Sequence, residues 1–305
     1  MTGHDVDELR FTDARGVNLF YRRWTCTTPR GVVLVSHGAS EHSGRYDRFG
    51  HALAEAGFVT YAPDHRGHGQ TSSGTGVGRL GAGGGAALIE DLQELADTAR
   101  AEHPGLPVAL FGHSMGALIA LSYATAHPTG LTGLVLCGFP ASAAGVASFA
   151  DQLGQAAAAG LTDEPAPSLA GLNAAFEPAR TSFDWLSRDE SEVDRYLADP
   201  FCGDQHPLTF GYLAGLFEVA VSAMTVGSFR SIGCPVLLIA GDRDPAAGMG
   251  ENVRELEALL GAADVQVMSR LYPEARHELL NEVNRDEVTT DVVAWLREHT
   301  SSHHE

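Results

Sequence analysis

The sequence predicts an α/β fold: a mostly parallel central sheet with helices on both faces, interrupted by a helical insert after about residue 140. Three observations carry this. Short apolar runs rich in β-branched residues alternate with segments of helical period from residue 17 to 139. The same alternation resumes from residue 234 to 299. Between them, about ninety residues show helix and loop signals and few strand signals. Strands separated by helices must cross over to pair in parallel, which covers both faces of the sheet.

In chain order, "VNLFYRRW" (17–24) reads as a strand, and "GVVLVSHG" (31–38) as a buried strand closed by glycine. "RYDRFGHALAEAG" (45–57) follows at helical period and ends on Gly57 as a cap. "FVTYAPD" (58–64) is a strand, "AALIEDLQELADTARAE" (86–102) an amphipathic helix, and "PVALFG" (107–112) a strand. "MGALIALSYATAHP" (115–128) is a helix stopped by Pro128, and "LTGLVLCG" (131–138) the next strand. Past the insert come strand "CPVLLIAGD" (234–242), helix "ENVRELEALLG" (251–261), strand "DVQVMSRLY" (264–272) and helix "NRDEVTTDVVAWLREH" (284–299). The expected organisation is a first core part over 1–140, a helical insert over 141–230 and a second core part over 231–305.

A chain of 305 residues that is 44% hydrophobic can bury a large core. Its net charge of −19, with no lysine- or arginine-rich block, argues against nucleic acid as a partner. The four cysteines, Cys26, Cys137, Cys202 and Cys234, are far apart and form no C-x-x-C pair, so ordinary buried thiols are expected. The start "MTGHDVDELRF" lacks the basic and apolar stretches of a signal peptide, and no run of eighteen apolar residues exists. The expectation is a soluble cytoplasmic protein without stable membrane insertion, its contact with lipid transient at most.

The chemistry starts at "GHSMG" (112–116), which sits where a strand stops and a helix begins. Strand, G-x-S-x-G, helix is the nucleophile elbow of an α/β hydrolase. The turn is so sharp that side chains at Gly112 and Gly116 would collide with neighbouring backbone. A serine hydroxyl needs a base, and the base an orienting acid. In this fold they follow in the order Ser, Asp or Glu, His. "LLIAGDRDP" places Asp242 and Asp244 beyond one late strand, and "LYPEARHELLNE" places His277 beyond the next. Strand C-terminal ends are where such a sheet builds its site. Of fourteen histidines, only His277 both follows a late strand and comes after the acid. Either aspartate can take the acid's part on this pattern.

Three stretches resemble the monoacylglycerol lipase-like branch of the α/β hydrolases, which is grouped with serine aminopeptidase-type hydrolases. They are "HGASEHSGRY" (37–46), "PDHRGHGQT" (63–71) with "GHSMG", and "GDRDP" with "YPEARHELLNE". The likeness covers residues 17–139 and 231–298, and within the insert is best at "DPFCG" (199–203). The resemblance implies Ser114 as nucleophile, Asp244 as acid and His277 as base. It implies an oxyanion hole from the amides of Ala39 and Met115, and places Glu41 and Arg45 at the polar end that holds a glycerol head group; a buried ion pair fixing the loop accounts for those two residues equally well. It departs at Leu280, where mammalian members carry a second histidine three residues after the catalytic one.

Two other motifs carry less. "GVGRLG" (76–81) has the G-x-G-x-x-G spacing but follows a turn-rich loop rather than a strand, so dinucleotide binding is not expected. "HRGH" (65–68) lacks nearby carboxylate or thiol ligands and reads as loop structure rather than zinc. The insert's apolar residues, among them Phe149, Leu153, Leu161, Leu213, Leu216, Phe217 and Met224, divide between lid core and an acyl-chain pocket. The expected activity is cleavage of monoacylglycerols or similar small, single-chain esters through an acyl-enzyme, without metal or organic cofactor. Lysophospholipase, broad carboxylesterase and aminopeptidase share the same machinery. A non-catalytic small-molecule receptor is the reading from another class. Dehalogenases and epoxide hydrolases fit worse, since they use aspartate where Ser114 stands.

Overall fold

The structure is a computed structural model and describes residues 5–300. Eight strands form one sheet: β1 (Val6–Thr12), β2 (Asn18–Trp24), β3 (Gly31–Ser36), β4 (Phe58–Pro63), β5 (Val108–His113), β6 (Gly133–Cys137), β7 (Val236–Gly241) and β8 (Val267–Tyr272). Their order is β1-β2-β4-β3-β5-β6-β7-β8, with β2 antiparallel to both neighbours and β3 to β8 parallel. The helices are α1 (Asp47–Glu55), α2 (Ser72–Thr75), α3 (Gly84–Glu102), α4 (Met115–Ala126), α5 (Ala143–Ala158), α6 (Glu190–Ala198), α7 (Phe210–Ala223), α8 (Val226–Phe229), α9 (Glu251–Ala262) and α10 (Arg285–His299).

Period-two alternation divides the core between the two faces. Val32, Leu34, Val108, Leu110, Leu134, Leu136 and Leu238 pack with α3, α4 and α9. Val33, Val35, Phe111, Val135, Leu237 and Ile239 pack with α1 and α10. Because β3, β5, β6 and β7 are covered on both sides, every residue in them is buried, which is why they read as continuous apolar runs.

Strand β1 is an addition to the sequence reading. It is an edge strand whose residues alternate between exposed and half-buried. Leu9 and Phe11 pack on the core, and Arg23 pairs back to Asp7 at 2.7 Å. The N-terminal helix signal over 45–57 resolves into a 3-10 turn at Ser43–Tyr46 followed by α1.

Between β6 and β7, α7 lies against α3 and α4, and α5 lies against α7. The approach of α7 to α3 is close: a β-carbon at Gly85 would sit 1.9 Å from the Gly215 carbonyl oxygen. Phe183, Trp185, Leu186, Val193, Tyr196 and Cys202 form a separate apolar cluster in this stretch. The segment from 183 to 189 is fastened to the loop between β8 and α10. His277 N–H donates to the Trp185 carbonyl at 3.4 Å, and Glu278 N–H to that of Leu186 at 2.8 Å. Arg188 Nε bonds Glu282 at 2.8 Å, and Arg285 bonds Asp189 at 2.7 Å.

The described cysteines are free thiols; Cys137, Cys202 and Cys234 are buried and Cys26 half-buried. No described helix is long and apolar enough to cross a membrane.

Candidate active site

Ser114 joins β5 to α4 with φ +54° and ψ −119°, a conformation that costs a non-glycine residue about 1–3 kcal/mol. Its neighbours hold it there. Its own N–H donates to the Cys137 carbonyl at 2.9 Å. A β-carbon at Gly112 would lie 2.4 Å from the Gly116 carbonyl oxygen, and one at Gly116 only 2.1 Å from that of Ser36. Both positions of the G-x-S-x-G pattern are therefore closed to any other residue.

His277 and Asp244 sit at the C-terminal ends of β8 and β7 and are buried. His277 Nδ1 lies 2.8 Å from Asp244 Oδ2. The other carboxylate oxygen, Oδ1, accepts the N–H groups of Ala246 at 2.9 Å and Ala247 at 3.1 Å. A carboxylate can only accept, so the imidazole proton resides on Nδ1 and leaves Nε2 with a lone pair. Asp242 has a different partner: its Oδ1 accepts the Glu274 N–H at 2.7 Å and shapes the turn ahead of His277. The structure thus separates two aspartates that the sequence pattern leaves equivalent. Gly138, at φ +58°, lets the strand end pass close by; a β-carbon there would stand 3.2 Å from His277 Cε1.

Ser114 and His277 line one small cavity, together with Gly38, Ala39, Trp185 and Tyr196. Ala39 follows β3, and Met115 opens α4, where the first N–H groups of a helix lack intrahelical acceptors. The Ala39 loop is braced from behind by histidines. His37 Nδ1 meets the Gly38 carbonyl at 2.8 Å, while its Nε2 accepts the His65 N–H at 2.9 Å. His65 Nε2 bonds Ser36 Oγ at 2.8 Å. Burial drives His37 below the ordinary histidine range, and His65 and His68 well below it, so these rings are neutral structural members. Arg66 between them is buried against Asp13 and Asp91. "HRGH" is a loop brace. "GVGRLG" is also a loop, and Gly78 in it receives Thr209 Oγ1 at 2.7 Å.

Glu41 is the hub of the cavity's polar wall. Its Oε1 accepts the Gly38 N–H at 2.5 Å and the Tyr46 hydroxyl at 2.8 Å, and lies 3.2 Å from His113 Nδ1. Its Oε2 accepts Arg45 at 2.9 Å. Arg45 also clasps Glu278 with both terminal nitrogens, one contact at 2.7 Å, and stacks 4.8 Å above the Tyr196 ring. Burial alone would raise the Glu41 carboxyl, but His113 and Arg45 outweigh it and hold it well below the carboxylate range. Burial opposes charge on His113 too, yet the Glu41 hydrogen bond lifts its value above the ordinary one.

The sequence reading missed Glu278, Tyr196, His113 and Trp185 as parts of this wall. Glu278 directly follows His277 and His113 directly precedes Ser114, whereas Tyr196 and Trp185 carry no such linear signal. Leu280 lines the adjoining cavity beside Glu41, Arg45 and Glu278. There the Glu278 carboxylate, two positions earlier, supplies the polar group.

Elsewhere, His42, Asp199 and Cys202 cluster closely enough to hold a metal ion. The imidazole is already committed: Nδ1 accepts the Gly44 N–H at 3.2 Å and Nε2 meets Asp199 at 2.9 Å. A hollow open to solvent beside Gly83, Ile89, Ser122 and Glu218 includes neither Ser114 nor His277.

Residues 27–284 match the family model described as serine aminopeptidase, S33. The chain belongs to that family. A monoacylglycerol lipase of Mycolicibacterium smegmatis is 32% identical, the alignment covering 98% of this chain and all of the relative. Human monoglyceride lipase is also 32% identical, over 97% of this chain and 92% of its own. Among solved structures, a thermostable carboxyl esterase from Bacillus coagulans, crystallised with glycerol, superposes with a TM-score of 0.87 at 31% identity, covering 98% of this chain and 100% of that one. The fold is that of the α/β hydrolases.

Proposed function

We propose that this chain is a carboxylic ester hydrolase of the monoacylglycerol lipase type, working through a Ser114–His277–Asp244 triad. The observation that carries the reading is the His277–Asp244 bond of 2.8 Å, which leaves Nε2 able to accept, in one cavity with an elbow serine. The near full-length likeness to monoacylglycerol lipases supports the substrate class.

His277 Nε2 takes the proton of Ser114 as the hydroxyl attacks the ester carbonyl. The amides of Ala39 and Met115 receive the oxyanion, each donor contributing about 3–4 kcal/mol of transition-state stabilisation. His277 returns the proton to the leaving alcohol, and water then cleaves the acyl-enzyme by the same steps in reverse. Glu41 and Arg45 keep the head-group end of the cavity polar and the loop before Ala39 in place.

The segment 141–230 acts as the cap of the core formed by the rest of the chain. Its Leu169, Trp185, Leu186 and Tyr196 roof the Ser114 cavity. A neighbouring apolar cavity, narrow in this structure, shares Ala39, Leu169 and Tyr196 and adds Phe183, Leu208 and Leu213. It is the place for the acyl chain. The aminopeptidase alternative requires a free carboxylate for the substrate's ammonium group. The carboxylates in the wall, Glu41 and Glu278, are both spent on Arg45.

The test is hydrolysis of 1-monoacylglycerols, lysophospholipids, short-chain p-nitrophenyl esters and aminoacyl amides by purified wild type and Ser114→Ala. The expected result is monoacylglycerol turnover with at least a thousandfold loss in the variant, and fluorophosphonate labelling of the wild type alone. Retention of most ester activity by Ser114→Ala overturns the reading.

A further inference from the structure

One residue of the cavity wall carries a hydrogen-bond donor that the fold leaves unused. Trp185 is 2% exposed, and its indole Nε1 is buried without a partner. An indole nitrogen can only donate, and a buried unpaired donor costs about 1–3 kcal/mol, so native proteins rarely keep one without a use. Of the described buried polar side-chain atoms lacking a partner, only this one belongs to a residue lining the Ser114–His277 cavity. Glu41, Glu278 and His113, which also line it, are committed: Glu41 to Gly38, Tyr46 and Arg45, Glu278 to Arg45 and Asn281, His113 to Glu41.

The geometry points to Trp185 as the specificity-determining donor for the leaving alcohol of the substrate, its Nε1–H binding an oxygen of that alcohol other than the scissile one. This rests on the proposed triad, and the position of the indole supplies the direction. Its ring lies 4.8 Å from the His277 ring. His277 delivers its proton to the departing oxygen, so a side chain packed on that imidazole borders the alcohol half of the ester. The acyl half has the apolar cavity beyond Ala39 and Leu169. A plain alkyl alcohol offers the indole no acceptor. A polyol offers an oxygen besides the scissile one that accepts from Trp185. The donor therefore selects esters of hydroxyl-bearing alcohols over simple alkyl esters.

Trp185→Phe keeps an aromatic ring against His277 and removes the N–H. It is compared with wild type on a 1-monoacylglycerol and on the methyl ester of the same fatty acid. The expected result is a fall of roughly tenfold in kcat/KM for the monoacylglycerol, a change within twofold for the methyl ester, and an unaltered rate of fluorophosphonate labelling. Replacement of Trp185 by 3-benzothienylalanine, which keeps the bicyclic shape and loses the donor, reproduces the selective loss. An equal loss on both esters, or slowed labelling in the benzothienyl variant, makes Trp185 a support for His277 or the fold and overturns the proposal. So does no loss on either ester. In each of these outcomes Ser114-dependent hydrolysis of the methyl ester stands, so the triad reading survives. That reading fails separately, through Ser114→Ala.

Discussion

Asp244→Asn tests the triad at the point where the structure is most explicit. The wild-type carboxylate takes three donors: His277 Nδ1 at 2.8 Å on one oxygen, and the N–H groups of Ala246 and Ala247 on the other. An asparagine has one oxygen and one NH₂ for those two sides. If its oxygen faces His277, the NH₂ confronts two backbone donors and leaves both unpaired, at about 1–3 kcal/mol each. If its NH₂ faces His277 instead, the backbone donors stay satisfied and the imidazole changes tautomer. Nδ1 then accepts, the proton moves to Nε2, and the base can no longer receive the serine proton. The second arrangement is cheaper, so the variant folds with a disabled base. The loss in kcat is on the order of 10⁴-fold, as when the acid of a serine triad is replaced by its amide. That corresponds to about 5 kcal/mol of transition-state stabilisation. Asp242→Asn is the control: its Oδ1 accepts the Glu274 N–H, and an amide oxygen does the same. The assay is steady-state hydrolysis of a p-nitrophenyl ester, with circular dichroism melts of both variants. An Asp244→Asn protein keeping more than a tenth of wild-type kcat, or an Asp242→Asn protein equally impaired, refutes the reasoning.

Two further predictions follow from the packing and charge around the elbow. Gly116→Ala puts a β-carbon 2.1 Å from the Ser36 carbonyl and requires β3 or α4 to shift; a thermal melt is expected to show a loss of at least 3 kcal/mol or no soluble protein. Glu41→Gln is expected to destabilise most at mildly acidic to neutral pH. Glu41, held below its ordinary value, contributes above the carboxylate range and loses that contribution as pH falls through its folded value. His113, raised above its unfolded value of about 6.5, contributes fully below that pH and loses the contribution as pH rises through its folded value. Urea titrations from pH 4 to 9 check this, and a stability difference that stays flat across the range refutes it.

The legible parts of this chain are those where burial imposes a simple pattern. β3, β5, β6 and β7 are enclosed on both faces, so their sequences are apolar throughout and mark themselves. β1 escaped because an edge strand needs only Leu9 and Phe11 on the inside, and its charged positions look like a polar tail. Ser114 was readable because two glycines are forced by contacts near 2 Å. The choice between Asp242 and Asp244 was not readable from spacing. It depends on which loop carboxylate reaches an imidazole 33 residues away. Trp185 and Leu169 lie in or beside short 3-10 turns, which lack the sustained period that exposes a buried face in sequence.

The two main-chain bonds from the loop carrying residues 277 and 278 to the carbonyls of residues 185 and 186 give the seat of the proposed base a foreign half. A chimera that imports the roof of another hydrolase onto this core must therefore bring matching oxygens to the same two places. Splice points chosen only at the ends of the inserted stretch transfer substrate preference and disturb proton transfer together.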